Sequence, residues 1–542
     1  MMGPEADQMV FSRLVAAEAA RDADRLVMLF ENGPLSAERV TAGDLAVRGN
    51  QVAAWLRRAG LRRGDRVAVM LRNHPEFIYG LVANAKLGLP TVPIDPRSRG
   101  PKLTYFLSFA ECAGLITADY VLADEAAADA IRAAGVKVWA LSTPEGRAEG
   151  LDVSGEWPVL NEVLDGPEAA EQGEHVDDVA APWLLAYTSG TTGDPKAIEF
   201  GHDRLQLYRQ LPRYFGYHDD DVPYTGLSLT HGNALVVTML PAVCGAVDHS
   251  VFSRSFTKTR LWDVCIEHGC TTWSNLGGIA TGIYSQPSSD RDLAHQVRLV
   301  VSAGMPKEIW RAFEERFGVK VLEWYGTMEG GFAYNPAGVG PVGSFGKPPE
   351  DLLEMDVVDE TGRPVDPGVL GELVVRPKGG EAQLTYFKNP EASAQKVREG
   401  WLRTGDIVTR DLDGWLFFGH RKEEGGLRKL GEFISEGFIR RVLAEDPEVV
   451  DVHIYGVASR NGAAGESTVV AAVVVRDPDV FDAAALFSRC ESRLERSHIP
   501  DLIQVVDDLP RTASEKVQSR FLAAALENGI ASRVYSRPAV TI

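Results

Sequence analysis

The stretch Tyr187–Lys196, YTSGTTGDPK, crowds glycines and hydroxyls into one short run that ends in Pro-Lys. Glycine lets a backbone approach an anion and aim successive N–H groups at it. Serine and threonine add donors, and a terminal lysine adds a mobile positive charge. That is the chemistry of a phosphate grip, supplied by Thr188, Ser189, Gly190, Thr191, Thr192, Gly193 and Lys196. No Gly-Lys-Ser/Thr closes the run, so it is not a Walker A loop. The competing reading is a solvent-exposed Gly/Ser/Thr turn.

The apolar WLLAY just before the run reads as a strand feeding the loop. Upstream, strands and helices alternate: DRVAVMLRN, a helix over Pro75–Leu87, PTVPIDP, a second helix near Leu103–Cys112, then GLITAD. Such βαβ alternation predicts an α/β fold with mostly parallel sheets and ligands at the strand ends. The Gly/Glu-rich segment from about Gly146 to Val179 reads as connection and surface, and no internal repeat is visible. Past Arg421 comes a smaller α/β unit whose STVVAAVVV run is a buried strand. The expected boundary falls within Gly419–Glu424, giving a large domain over 1–420 and a small one over 421–542.

Composition agrees with a large soluble enzyme: 542 residues, 45% hydrophobic and 24% charged. The formal charge of −20 argues against nucleic acid or an anionic membrane as partner, since both call for basic patches. Cys112, Cys244, Cys265, Cys270 and Cys490 show no C-x-x-C pair or zinc spacing, which fits a reducing compartment. MMGPEADQMVF has no basic region followed by an apolar run, and no segment has the length to span a bilayer, so the cytoplasm is the expected location. Monomer and homodimer both stay open.

From the phosphate run onward the chain resembles the adenylate-forming superfamily, in particular its acyl-CoA ligase branch. The resemblance is carried by motifs in order: the Thr188–Lys196 run, LSLTHG at Leu227–Gly232, SAGMP at Ser302–Pro306, WYGTME at Trp324–Glu329, WLRTGD at Trp401–Asp406, Gly419-His420-Arg421, and LPRTASEK ending at Lys516. Such enzymes join a carboxylic acid to ATP, release pyrophosphate, and pass the acyl group from the adenylate to a thiol, usually coenzyme A.

The resemblance implies ATP (or a preformed acyl-adenylate), Mg2+ and coenzyme A as cofactors, and a small-molecule carboxylic acid as partner. It places Lys196 on the β- and γ-phosphates and makes Lys516 the cation bridging carboxylate and α-phosphate. Glu329 becomes the magnesium contact, which suits a hard cation on nucleotide phosphates. Asp406 would accept hydrogen bonds from the ribose hydroxyls, Arg421 would support the ribose or a phosphate, and Tyr325 would offer its face to adenine. Ser302, Ala303, Gly304, Gly326, Thr327 and Met328 line the nucleotide. His231, Gly232, Trp273, Gly277, Gly278 and Gly304 line the acyl group, and small side chains here leave volume for a bulky hydrophobic acid. The same glycines serve tight turns equally well. Arg428, Lys429, Gly431 and Glu432 would meet coenzyme A, with Glu423 as the hinge about which the small domain turns.

Two departures touch the first half-reaction. Resembling enzymes carry a threonine before the glutamate, its hydroxyl on the α-phosphate; here stands Met328, which cannot donate. Thr327 is the one hydroxyl nearby that could compensate, although a one-residue shift in an extended segment turns the side chain to the opposite face. After Arg421 the run Lys422–Glu432 is one residue longer than the usual pattern and contains Gly425-Gly426. The expectation is an acyl-CoA ligase working through an acyl-adenylate; the two departures add a second reading, in which adenylation is impaired and the chain acts mainly as the thioester-forming half behind a separate adenylating enzyme, and the presence of Lys196 and Lys516 stands against it. The alternatives are an enzyme that loads a carrier protein, a luciferase-like oxidase, and a non-catalytic nucleotide-binding relative.

Overall fold

The computed structural model describes residues 10–143, 156–166, 176, 178–188, 195–254, 256–284, 286–307, 309–421, 427–429, 432–434, 436–458, 466–510, 517, 519–531 and 533–538. An eight-stranded sheet runs in the order Phe332–Asn335, Lys320–Gly326, Leu299–Ala303, Thr272–Leu276, Pro223–Thr225, Ser250–Ser253, Leu26–Asn32, Leu35–Thr41. Its inner strands pair in parallel and its two edge strands pair antiparallel. A six-stranded sheet follows the order Lys137–Leu141, Cys112–Ala118, Arg66–Val69, Thr91–Pro93, Pro182–Tyr187, Ala197–Gly201, parallel except for its last pair.

The largest apolar cluster joins the two sheets. Phe30 and Phe252 of the first and Val69 and Ile116 of the second share it with the helices Ala42–Arg58 and Pro75–Leu87. Helix Pro75–Leu87 covers the span expected from the sequence, for local reasons. Pro75 presets its first turn, Glu76 complements the N-terminal dipole, and Gly88 ends it at φ 69°. Helix Ala42–Arg58 starts with a capping box: Asp44 N–H donates to Thr41 Oγ1 at 3.1 Å, and Thr41 N–H donates to Asp44 Oδ2 at 2.9 Å.

Three features depart from the expectation. The third sheet is wholly antiparallel: Leu353–Val358, Gly371–Pro377, Trp401–Arg410 and Val397–Arg398, with Leu416–Arg421 also on Trp401–Arg410. The helix expected near Leu103–Cys112 spans Gly100–Phe109, because Cys112 already opens a strand. The connection after Gly146 holds a short helix, Leu160–Leu164.

Beyond Arg421, Leu427–Lys429 pairs with Glu432–Ile434. Ser467–Val475 pairs antiparallel with Val449–Ala458 and parallel with Leu502–Val505, which in turn pairs with Val534–Ser536. Val469, Ala471 and Val473 face one apolar cluster, whereas Val470 and Ala472 face another with Leu509 and Leu522. Burial on both faces explains the unbroken β-branched run. All five cysteines are free thiols. Among the described residues no helix is long and apolar enough to cross a membrane.

Candidate active site

Strand Pro182–Tyr187 delivers the chain to the glycine-hydroxyl run, and strand Ala197–Gly201 returns antiparallel beside it. The neck is closed by Thr188, whose N–H and hydroxyl donate to the Lys196 carbonyl at 2.7 and 3.3 Å. Ser189, Gly190, Thr191, Thr192 and Gly193 lie outside the described residues. The Lys196 ammonium sits 5.2 Å above the Tyr386 ring centroid. The Tyr386 hydroxyl donates to Glu329 Oε1 at 3.1 Å, so the lysine and the acidic residue meet on one buried tyrosine. Glu329 is partly exposed, and among the described residues its second oxygen accepts no protein hydrogen bond. One hard, half-open carboxylate fits Mg2+, which keeps several waters and takes one or two protein carboxylates beside phosphate oxygens.

The nucleotide side is built where two sheets converge. Tyr325, at the end of strand Lys320–Gly326, packs on Phe345 with ring centroids 4.8 Å apart and donates its hydroxyl to Asp406 Oδ2 at 2.6 Å. Asp406 is fully buried, its N–H donates to Thr404 Oγ1 at 3.1 Å, and it stands directly opposite Arg421 in the antiparallel register. The structure thus brings Tyr325, Asp406 and the Arg421 backbone together. Thr327 turns away from this group. Its hydroxyl donates to Gly330 O at 2.5 Å and accepts from Gly330 N–H at 3.2 Å, which closes a local turn. It is therefore engaged at both ends within that turn.

Met328 points toward Gly232. A Cβ on Gly232 would lie 3.5 Å from its sulfur, and the Met328 carbonyl accepts from Arg204 Nη1 at 3.3 Å. Leu276, Ile279 and Met328 are partly buried against the central cluster that includes Leu227. Ser302, Ala303 and Gly304 end strand Leu299–Ala303. Gly304 sits at φ 87°, where a side chain would be strained. The N–H groups of Gly304 and Met305 both donate to the Glu323 carboxylate, the second at 3.0 Å. Burial pushes the Glu323 carboxyl up to about 8, against the opposing pull of those two donors.

His231 is half-exposed, with Nε2 4.0 Å from Asp95 Oδ2. Burial raises Asp95, but hydrogen bonds and charge from Arg97 outweigh it and hold the carboxyl down to about 2. Asn73 clamps the segment that carries His231, donating to Leu227 O and Ser253 O at 2.9 Å each and accepting from Leu229 N–H at 2.9 Å. Beyond Gly232 the chain enters a π-helical turn, Ala234–Met239, a form often found at functional sites. Trp273 goes elsewhere: strand alternation sends it to the opposite face from Ser274, 1% exposed and packed on Trp262 and Phe313. The backbone of Gly277 and Gly278 opens helix Gly277–Tyr284 next to Leu276.

On the C-terminal side, Lys429 is committed within its own unit. Its ammonium donates to Ile499 O at 2.7 Å and pairs with Asp501 at 2.6 Å, while burial lowers its pKa. Arg428 and Glu432 lie on the paired strands Leu427–Lys429 and Glu432–Ile434. Glu423, Gly431 and Lys516 lie outside the described residues. The C-terminal unit docks on helix Gly100–Phe109, which follows the loop that carries Asp95: Lys102 Nζ pairs with the buried Glu495 at 2.9 Å, and His498 Nδ1 lies 3.4 Å from the same carboxylate. Asp95, Asn73, Glu323 and Tyr386 are not singled out by sequence reasoning. Each acts through a partner remote in the chain, and only PTVPIDP had marked the vicinity of Asp95.

The site thus combines a β-hairpin flanking the glycine-hydroxyl run, a buried tyrosine–aspartate pair at a sheet junction, and a half-exposed histidine next to Gly232. Residues 15–381 match the family model for the AMP-binding enzyme, and residues 440–516 match that for the AMP-binding enzyme C-terminal domain. The chain is 31% identical over 482 residues to a medium/long-chain-fatty-acid–CoA ligase of Mycobacterium marinum, covering 88% of this chain and 90% of the relative. It is 30% identical over 515 residues to a sulfoacetate–CoA ligase of Cupriavidus necator, covering 93% and 96%. Its fold matches that of o-succinylbenzoate CoA synthetase from Bacillus subtilis with TM-score 0.75 at 21% identity, covering 94% and 98% of the two chains. The chain belongs to the AMP-binding enzyme family and is an AMP-forming acyl-CoA synthetase of the adenylate-forming superfamily.

Proposed function

We propose that this ligase activates a bulky, apolar carboxylic acid and that adenylation is its slower half-reaction. The observation that carries the first part is Gly232, where a Cβ would lie 3.5 Å from the Met328 sulfur, next in the chain to the half-exposed His231. A thioether beside a glycine favours an acid with apolar area of its own. The fatty-acid ligase relative agrees in kind, whereas the sulfoacetate ligase relative acts on a small anion, so similarity near 30% leaves the acid open.

In the first step a carboxylate oxygen attacks the α-phosphorus of ATP and pyrophosphate leaves. Two anions converge, so cations must offset the developing charge. The Thr188–Lys196 loop holds the β- and γ-phosphates, and Lys516 bridges carboxylate and α-phosphate. Asp406 and Arg421 hold the ribose, with adenine lying against Tyr325 beside Ser302, Ala303, Gly304 and Gly326. When bound at Glu329, Mg2+ supplies further charge compensation to the phosphates. In the second step the thiol of coenzyme A attacks the acyl carbon and AMP leaves. The unit beyond Glu423 turns for this step and presents Arg428, Gly431 and Glu432, while Lys429 stays bound to its own loop. Met328, with Thr327 closed on Gly330, leaves the α-phosphate one donor short, which supports slow adenylation.

Incubating purified enzyme, ATP, Mg2+ and CoA with acetate, octanoate, a long-chain fatty acid and a polycyclic acid, while following free thiol, tests the assignment. Consumption should rise with apolar size. Acetate as the best substrate would overturn it.

A further inference from the structure

Tyr386 stands between the two charged groups that the phosphate chemistry needs, and nothing in the motif pattern marks it. Its ring face lies under Lys196 at 5.2 Å, and its hydroxyl reaches Glu329 Oε1 at 3.1 Å. The residue is 2% exposed, so this geometry is held by the protein interior. Its backbone is fixed as firmly. Glu199 N–H donates to Thr385 O at 3.2 Å and Phe387 N–H to Ala197 O at 2.8 Å, which lays residues 385–387 along the strand leaving the phosphate loop. Tyr386 N–H also donates to Ser393 Oγ at 2.9 Å, at the start of helix Pro390–Lys396, whose cap is Asn389.

We infer that Tyr386 is a positioning residue of the adenylation half-site, which sets the lysine of the phosphate loop and the acidic residue Glu329 at a fixed separation. The ring attracts the ammonium through its π face and keeps it near the loop. The hydroxyl occupies one carboxylate oxygen and so turns the other toward the site. Lys196 and Glu329 thus meet two different parts of one buried side chain, the ring face and the hydroxyl. Tyr386 keeps them apart and oriented. The inference rests on the reading of Glu329 as the metal contact.

The two functions of the side chain separate by substitution. Tyr386→Phe keeps the ring and removes the hydroxyl, whereas Tyr386→Leu removes both. ATP binding is measured by calorimetry with and without Mn2+ as a probe for Mg2+, alongside ATP–pyrophosphate exchange and melting temperature. With Tyr386→Phe we expect the gain in ATP affinity on adding Mn2+ to shrink about tenfold, with metal-free ATP binding and melting nearly unchanged. Tyr386→Leu should weaken metal-free binding as well. In a Glu329→Gln background the Phe substitution should add nothing, because the hydroxyl acts through that carboxylate. An unchanged Mn2+ response in Tyr386→Phe, or an equal loss in both backgrounds, overturns the inference. If wild-type ATP binding ignores Mn2+, the metal role of Glu329 fails by itself. Pyrophosphate exchange then decides Tyr386: a loss confined to proteins that retain Glu329 supports it, and no loss refutes it.

Discussion

Replacing Met328 by threonine should accelerate adenylation by about a hundredfold, because it returns a hydroxyl to the one position where the site lacks it. A single preorganised donor aimed at transition-state charge is worth on the order of 10²–10³ in rate. The lower figure applies, since a restored donor is placed less well than an evolved one. The structure removes the obvious substitute: the Thr327 hydroxyl both donates to and accepts from Gly330. The substitution is structurally mild. Met328 is only partly buried, its carbonyl contact to Arg204 is a backbone contact, and Gly232 leaves space beside its sulfur. Shortening it should cost about 1 kcal/mol, small against a total of about 5–15 kcal/mol. ATP–pyrophosphate exchange measures the first half-reaction, and thioester formation from synthetic acyl-adenylate measures the second. Exchange should rise while the thioester rate stays constant. Robust exchange by the unmodified enzyme, or no gain in a Met328→Thr protein of unchanged melting temperature, would show that the missing donor does not limit the reaction.

Lys516→Ala should abolish pyrophosphate exchange and spare thioester formation from preformed adenylate, since its charge is needed only while carboxylate meets α-phosphate. Equal loss of both half-reactions at constant melting temperature assigns it another role. Glu323 makes stability fall with pH. Its folded carboxyl lies at about 8 against an ordinary 4.5, so the folded state holds the extra proton between those values. The contribution is complete below pH 4.5 and is lost as pH rises through about 8, at on the order of 1.4 kcal/mol per unit. Urea unfolding at pH 6, 7 and 8 should show a shallower slope for Glu323→Gln than for the wild type; parallel slopes contradict the assignment.

The strand Pro182–Tyr187 before the glycine-hydroxyl run and the strand Ser467–Val475 were legible because local composition and tertiary environment agree there: an apolar run in a strand buried in its sheet, β-branched residues in a strand buried on both faces. The antiparallel third sheet was not. In Trp401–Arg410 the inward positions are Leu402, Thr404, Asp406 and Val408, so two of the core-facing side chains are polar. Both are held by hydrogen bonds in the interior: Thr404 takes the Asp406 N–H, and Asp406 takes the Tyr325 hydroxyl. These buried polar pairs erase the alternation that announces a strand. Trp273 was misplaced by the converse effect. It lies in the right strand, but the period of two gives the site face to Ser274 and the core face to the tryptophan.

Adjacency in sequence misleads most at Thr327 and Met328. Read as a string, TME offers a hydroxyl one position early, and a small slip would seem enough to restore the donor. The chain does not slip, because Gly330 at φ 142° and Gly331 at φ 100° bend it at once. The Thr327 side chain is what pins that bend. Moving its hydroxyl toward a phosphate would break the turn that places Glu329 against Tyr386. The same residue cannot both shape the loop that presents the acidic group and donate to the anion that group serves. The sequence alone shows that position 328 carries no donor, without showing that the neighbouring hydroxyl is already engaged in its own turn.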